Sequence, residues 1–460
     1  MHTPDPARYG DVADAAWRWV LGQVRWDDGP WIPVPGTVPG ADAVPADAAT
    51  PPAGGATPPD DRDGLHSGVG GVALALAEVR LDRPWSDEER RLADGIRERV
   101  RRVAQTETDP GFFDGLSSHV GTLLALDDPA GAERVLDRLA ETIGGDGWPS
   151  PWTKPPRVAV GSPLNDVTLG NGSAVLADAW ALRHGCARAA EVTALAADVV
   201  KAEAQTTATG VQLPFVSPRF RLEVDVVREM PNWSHGTAGT AAALAVAGRV
   251  LERPDLVEVA RLGAAHLVSV ADTGDGGFRV ATTVPHDPGS DHELYSYGWC
   301  HGPTGTSRLF TALHHAGVTQ VLGATPLQWH DRALHTVMVS GLPDRLYPGF
   351  WDNDGRCCGS AGVGDVMLDG WQRTGRDDWL DFAVRVADAV ADRVCVDGDR
   401  ACWRFVEHRA DDPLLPPELG WMQGATGIAA LLWRTARVLR VGRDAPAAAR
   451  MDSWWGLPGA

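Results

Sequence analysis

Cysteine is scarce in this chain. Its six copies (186, 300, 357, 358, 395 and 402) are too few and too irregularly spaced over 460 residues for a disulfide scaffold. Basic residues are outnumbered, 42 Lys and Arg against 61 Asp and Glu, and the formal charge of −19 argues against a phosphate backbone or an anionic membrane as the main partner. No unbroken apolar stretch reaches membrane-spanning length. The first ten residues, Met1 to Gly10, lack the basic and apolar regions of a signal peptide. The expectation is a cytoplasmic protein with reduced thiols, no nucleic-acid partner and no membrane insertion.

What is present is an ordinary globular composition, 44% hydrophobic and 22% charged, in a chain long enough for a large core. Residues 1–60 read as a separate N-terminal part. Within it, residues 9–25 have helical apolar spacing at Val12, Ala15, Ala16, Val20 and Val24, and a Pro/Ala/Gly-rich flexible segment follows at roughly 33–60. From residue 61 to about 440 an internal repeat appears. A turn rich in Gly or small residues precedes an apolar run at His66–Gly71, Ser117–Thr122, Thr168–Ser173, Ser234–Gly239, Cys300–Gly305, Cys357–Gly362 and Met422–Gly427. The seven copies lie 51 to 66 residues apart, and the second is the most degenerate.

The runs after the turns, such as Val72–Val79, Thr240–Val250 and Ile428–Leu439, are apolar nearly all round, as a buried helix is. Amphipathic segments alternate with them at Asp87–Thr106, Asp128–Ile143, Ala187–Ala204, Leu256–Val270 and Asp377–Val394. Each repeat therefore reads as a buried helix plus a covering helix. The predicted fold is all-α, an (α/α) toroid of about seven helical hairpins, because an open solenoid would need polar end caps that are not identifiable. Turn glycines are expected for close backbone packing and positive φ. Strand-like pieces at Gln212–Val216 and Arg219–Val227 predict a small β-hairpin flap, and the His286–Glu293 loop and Trp351–Asp354 are expected at the rim. The tail, residues 441–460, is expected to be peripheral, with Trp454 and Trp455 as docking points.

In a closed ring the starts of all inner helices meet at one end. The two residues before each turn glycine or its equivalent then face one cavity: His66-Ser67, Ser117-Ser118, Thr168-Leu169, Ser234-His235, Cys300-His301, Cys357-Cys358 and Met422-Gln423. Aligning Gly302 on Gly359 puts Cys300 over Cys357 and His301 over Cys358. Soft thiolates at one end of a repeat array point to a zinc site with three protein ligands. The plainer alternative is three small buried residues, the common fate of free cysteine. For His235 and Asp166 the plainer alternative is helix capping. The absence of a carboxylate pair at the turns argues against glycosidase chemistry.

Trp299-Cys300-His301-Gly302, Cys357-Cys358-Gly359, Ser234-His235-Gly236 and Asp166 in the run Asn165–Gly170 resemble motifs of the lanthionine synthetase C-like (LanC-like) family, over roughly residues 61–440. The resemblance implies a toroid holding one Zn2+ per chain on Cys300, Cys357 and Cys358, with His235 and Asp166 as catalytic residues. It implies a cyclase that closes thioether rings in a precursor peptide. Two positions depart from the pattern. Cys358 stands where the family usually has histidine, and Ser296 stands where cyclases often carry arginine.

Three thiolates and Zn2+ sum to a charge of −1 and leave a fourth position open. A substrate thiol there would lose its proton and could add to the β-carbon of dehydroalanine or dehydrobutyrine. The resulting enolate needs a proton at its α-carbon, for which His235 is the first candidate and His301 the second. Asp166 either orients a histidine or accepts the thiol proton. No segment resembles a kinase, lyase or dehydratase domain, so a separate dehydratase would act on the peptide first. Two rival readings keep the metal: addition of glutathione or another small thiol to dehydroamino acids, and a non-catalytic zinc- and thiol-binding protein.

Overall fold

Apolar runs that lack a polar face can only be buried, and the molecule buries them by arranging them as the inner wall of a ring. The computed structural model describes residues 4–33, 62–222, 229–286, 288, 293–344, 353–406 and 414–458. Residues 34–60 of the Pro-rich segment, 223–227 of the second strand-like piece, most of the His286–Glu293 loop, and Trp351 with Asp352 lie outside them.

The chain opens with a covering helix, α1 (Pro6–Gln23), and then alternates inner and covering helices. The pairs are α2 (Val69–Asp82) and α3 (Asp87–Val103), α4 (Leu116–Ala125) and α5 (Pro129–Thr142), and α6 (Asn171–Arg183) and α7 (Ala189–Ala202). They continue with α8 (Thr237–Val250) and α9 (Pro254–Val270), α10 (Pro303–His315) and α11 (Pro326–Met338), and α12 (Ser360–Thr374) and α13 (Asp377–Asp392). The last inner helix is α14 (Ala425–Val441). Its covering partner is α1, which packs along it: Trp433 Nε1 donates to Asp14 at 2.8 Å, and the Trp17 and Trp433 rings meet edge to face at 5.9 Å.

Every inner helix starts at a glycine N-cap: Gly68, Gly115, Gly170, Gly236, Gly302, Gly359 or Gly424. All seven have negative φ, so the expected left-handed conformation is absent. Glycine is required for close approach instead. A Cβ on Gly236 would lie 1.6 Å from the Met230 carbonyl oxygen, and one on Gly302 2.6 Å from that of Ser296. The second turn is also corrected. Its cap is Gly115, the pair before it is Phe113-Asp114, and Ser117 and Ser118 lie buried within α4. Aromatic residues at 112 and 113 hide the small-residue pattern, which reappears only inside the helix.

Hydrogen bonds between neighbouring turns close the ring. Leu65 N–H donates to Phe113 O (2.6 Å), Phe112 to Thr168 O (2.9 Å) and Ser234 to Cys300 O (2.8 Å). Cys300 donates to Cys357 O (3.2 Å), Cys357 to Met422 O (2.8 Å), and Met422 back to His66 O (3.1 Å). The remaining step, from the third turn to the fourth, runs through the Thr168 hydroxyl to Ser234 O at 3.2 Å. α14 packs against α2, so the helices close as the turns do. The fold is an α/α toroid, with all seven turns at one end.

Among the described residues strand is confined to three two-stranded pieces: β1 (Gln205–Thr206) with β2 (Val211–Gln212), β3 (Cys395–Asp397) with β4 (Arg400–Cys402), and β5 (Arg404–Val406) with β6 (Leu414–Pro417). The expected flap differs: β2 pairs with β1, and Pro218–Phe220 is a 3-10 turn. Among the described residues no helix is long and apolar enough to cross a membrane.

The tail is not peripheral. Met451, Trp454 and Trp455 are buried. Trp454 meets the His315 ring at 5.2 Å and carries the Arg183 guanidinium at 4.4 Å, both at the C-terminal ends of inner helices. The tail thus plugs the end of the ring opposite the turns. It is held there by Arg308 donating to Asp452 O (2.9 Å), Trp455 Nε1 donating to Arg308 O (3.2 Å), and an ion pair of Arg450 with Asp365. Asp365 is shared with Arg356 and Arg434.

Candidate metal centre and acid/base pair

The hydrogen-bonded ring of turns brings the three cysteines together. Cys300 and Cys357 are joined main chain to main chain, and Cys358 follows directly, so the thiols face one another at the mouth. Cys300 Sγ lies 3.1 Å from Cys358 Sγ, and Cys358 Sγ lies 3.5 Å from Cys357 Sγ. All three sulfurs lie within 4.8 Å of one another and are buried. Zn–S bonds of about 2.3 Å in a tetrahedron give edges of about 3.8 Å, so this donor set is already gathered to the scale of a metal site. The cluster fits a soft divalent ion.

The electrostatics of the cluster favour one anion among three sulfurs. Hydrogen bonds from Cys357 and then Cys358 hold the Cys300 thiol well below its usual range, and nearby His301 and His235 add to this. The bond to Cys300 pushes Cys357 up, and burial together with the two neighbouring thiols pushes Cys358 up. A metal ion is the ordinary way for such a cluster to shed its remaining protons.

Beside the sulfurs, the third and fourth turns form a histidine–carboxylate pair. His235 Nδ1 lies 2.7 Å from Asp166 Oδ2, with Asp166 fully buried and His235 5% exposed. Asp166 also accepts from the Thr168 hydroxyl (2.5 Å) and from Leu169 N–H (3.2 Å), so it shapes its own turn while it faces the imidazole. Phe215 packs edge-on against the His235 ring at 5.1 Å. The His235 and His301 rings stand 5.6 Å apart. The residues singled out from the sequence (Asp166, His235, Cys300, His301, Cys357 and Cys358) thus gather at one mouth.

Two neighbours had no role assigned from the sequence, although Thr168 was expected to face the cavity. Thr168 joins the hydrogen bonds of both Asp166 and His235, and its place two residues before a cap glycine was the available signal. Asp109 lies near Asp166 and accepts from Gly111 N–H (2.9 Å) and Trp152 Nε1 (3.1 Å). Burial pushes its carboxyl up to about 7 against the Gly111 bond, with Glu107 and Asp166 adding to the rise. The degenerate second turn gave no sequence cue to it.

A family model described as lanthionine synthetase C-like protein matches residues 229–437. That span carries the last four turns, with His235 and all three cysteines. The match supports the LanC-like family. Among solved structures, nisin cyclase aligns with a TM-score of 0.54 at 12% identity, covering 82% of this chain and 89% of that one, a likeness of fold. The Lin0763 protein from Listeria innocua aligns at a TM-score of 0.42 (12% identity, 81% of this chain, 98% of that one). A sugar epimerase from a ruminal bacterium aligns at 0.44 (10% identity, 95% and 98%). No curated protein sequence matches. The LanC-like match does not reach Asp166, so the pairing of that residue with His235 stands on the geometry alone.

Proposed function

We propose that this LanC-like chain is a zinc-dependent cyclase that adds a cysteine thiol to a dehydroalanine or dehydrobutyrine of the same peptide. The observation that carries the reading is a buried three-cysteine cluster beside a histidine–carboxylate pair, at the mouth of a closed toroid. Cys300, Cys357 and Cys358 would hold one Zn2+, which when bound supplies a position where a thiol ionises near neutral pH.

The protein's own groups handle the protons. Asp166 fixes the His235 ring through Nδ1, as a buried carboxylate does for a catalytic histidine. His235 Nε2 takes no protein partner among the described residues, which leaves it to hand a proton to the α-carbon once sulfur has bonded to the β-carbon. His301 stands against the His235 ring and next to Cys300, placed to steady the enolate oxygen. Trp299, Phe112 and Phe113 pack against one another at 5.8–6.3 Å and give the site an apolar wall next to Cys300.

The test is a peptide with one dehydroalanine and one cysteine, incubated with the zinc-loaded chain. Ring closure leaves the mass unchanged and removes the free thiol, so maleimide labelling should disappear with time. Persistent labelling at the uncatalysed rate would overturn the reading.

A further inference from the structure

A cavity lies inside the ring, between the turns and the tail. Trp299 and Met422 of the turns border it on one side, and Met451 and Asp452 of the tail on the other. Its room is about 20 Å³, enough for a single occupant the size of a water molecule. The walls are not those of an apolar void, because Arg308, Arg356 and Arg450 also line it.

These arginines belong to an ion-pair network whose charges do not balance. Arg356 pairs with Asp365, Arg434 with Asp365 and Asp369 (2.7 Å each), and Arg450 with Asp365 and with Asp452 (3.5 Å). Arg308 reaches only Asp452, at 4.0 Å. Among the described residues this closes the network at four guanidiniums and three carboxylates, with none of the seven residues more than 8% exposed. The adjacent Arg437 and Arg440 are balanced by Glu78 and Asp82. A guanidinium keeps its proton in a protein, so one buried positive charge is left over, which is strongly unfavourable. The excess sits at Arg308. Its Nη1 donates to a neutral acceptor, the main-chain carbonyl of Asp452 (2.9 Å), and its Nε is buried with no partner among the described residues.

We propose that this cavity binds one small monovalent anion, chloride in the cell, held by Arg308 and facing Arg356 and Arg450. Size and charge set the class independently. A tetrahedral oxyanion exceeds the room. Water would accept from the Arg308 Nε–H but would leave the charge standing, whereas a halide answers both. The ion ties α10, which carries Arg308, to the tail, which carries Arg450 and Asp452. The site is separate from the chemistry at the mouth and does not depend on it.

The test uses the full chain crystallised from sodium bromide, with diffraction measured at the bromine edge. The expected result is one anomalous peak in the cavity, within hydrogen-bonding reach of Arg308 Nε. Density there without an anomalous signal would be water and would overturn the proposal. Bromide on the exterior alone would be an adventitious ion only, and would overturn it equally. In solution, the melting temperature should rise by about 2–4 °C between 1 and 100 mM chloride, with gluconate holding the ionic strength constant. Arg308→Met removes the excess charge and should lose that rise, while Arg308→Lys keeps the charge and should retain it. A rise that persists in Arg308→Met would place the ion elsewhere and overturn the proposal. If neither variant folds, the bromide measurement on the wild type decides alone.

Discussion

Asp166 Oδ2 lies 2.7 Å from Nδ1 of His235, a residue 69 positions further along the chain. The same carboxylate accepts the Leu169 N–H of its own turn. Bracing of the turn and imidazole orientation are here carried by one side chain, whereas helix capping is not, because the N-cap of α6 is Gly170 and takes no side-chain bond.

Asp166→Asn keeps the shape and the turn acceptor but removes the charge. The expected outcome is a loss of roughly 10²–10⁴-fold in ring closure, and a loss of similar size for His235→Ala. Zinc content, by elemental analysis, should be unchanged in both. Activity within a few-fold of wild type would take the pair out of the chemistry.

The cysteine cluster predicts one zinc per chain, lost in Cys357→Ala and in Cys358→Ala. Cys358→His should keep the metal and slow alkylation of a bound thiol, because a neutral imidazole donates less charge than a thiolate. Zinc analysis and iodoacetamide kinetics check the two statements. A folded wild type without zinc would end the metal reading and leave the fold intact.

Glu89 ties three elements together. It accepts from Trp17 Nε1 of α1 (2.7 Å), from Arg83 (2.7 Å) and from Ser86 N–H (2.7 Å). Burial alone would raise its carboxyl, but Arg83, the Ser86 N–H and Trp17 outweigh that and hold it at about 2. The folded value lies below the unfolded value of about 4.3, so the stabilisation is present above pH ~4.3 and fades as pH falls through ~2. Glu89→Gln should cost about 2 kcal/mol at pH 7, a figure already discounted for the partly exposed Arg83. Urea midpoints at pH 7 and pH 3 should show the gap narrowing. A gap independent of pH would show that the charge of Glu89 is not what matters.

Asp365 is the counter-charge of Arg356, Arg434 and the tail residue Arg450. Asp365→Asn takes the carboxylate from buried Arg356 and leaves Arg434 and Arg450 only their second partners, Asp369 and Asp452, at an expected cost of about 3–5 kcal/mol. The tail should then become open to limited proteolysis at 37 °C. Survival of the tail at the wild-type rate would show that its tryptophans suffice to hold it.

The inner helices were legible because a helix without a polar face has one fate, and because a glycine where two backbones touch has no substitute. The second turn was displaced because Phe112 and Phe113 sit where other turns have small residues. α11 escaped notice because Trp329, His330 and His335 blur its stripe, although Pro326 and the Thr325–Gln328 capping box marked its start. The tail looked peripheral because its partners, Arg308 and Asp365, lie far back in sequence. At the site, residue types and register bring the sulfurs to one place. The hydroxyl of Thr168 and the carboxyl of Asp109 enter only through distances that no spacing rule contains.

The pairing of α1 with α14 has a consequence for how the chain is made. Asp14 and Trp433, which join the two helices, are 419 residues apart. On a ribosome α1 emerges long before its groove exists, and its apolar face must wait, exposed, while six hairpins are synthesised. Contacts of such long sequence separation form late and slowly. The seam of the ring is therefore the last part to fold, and it is the stretch on which a chaperone would have most time to act.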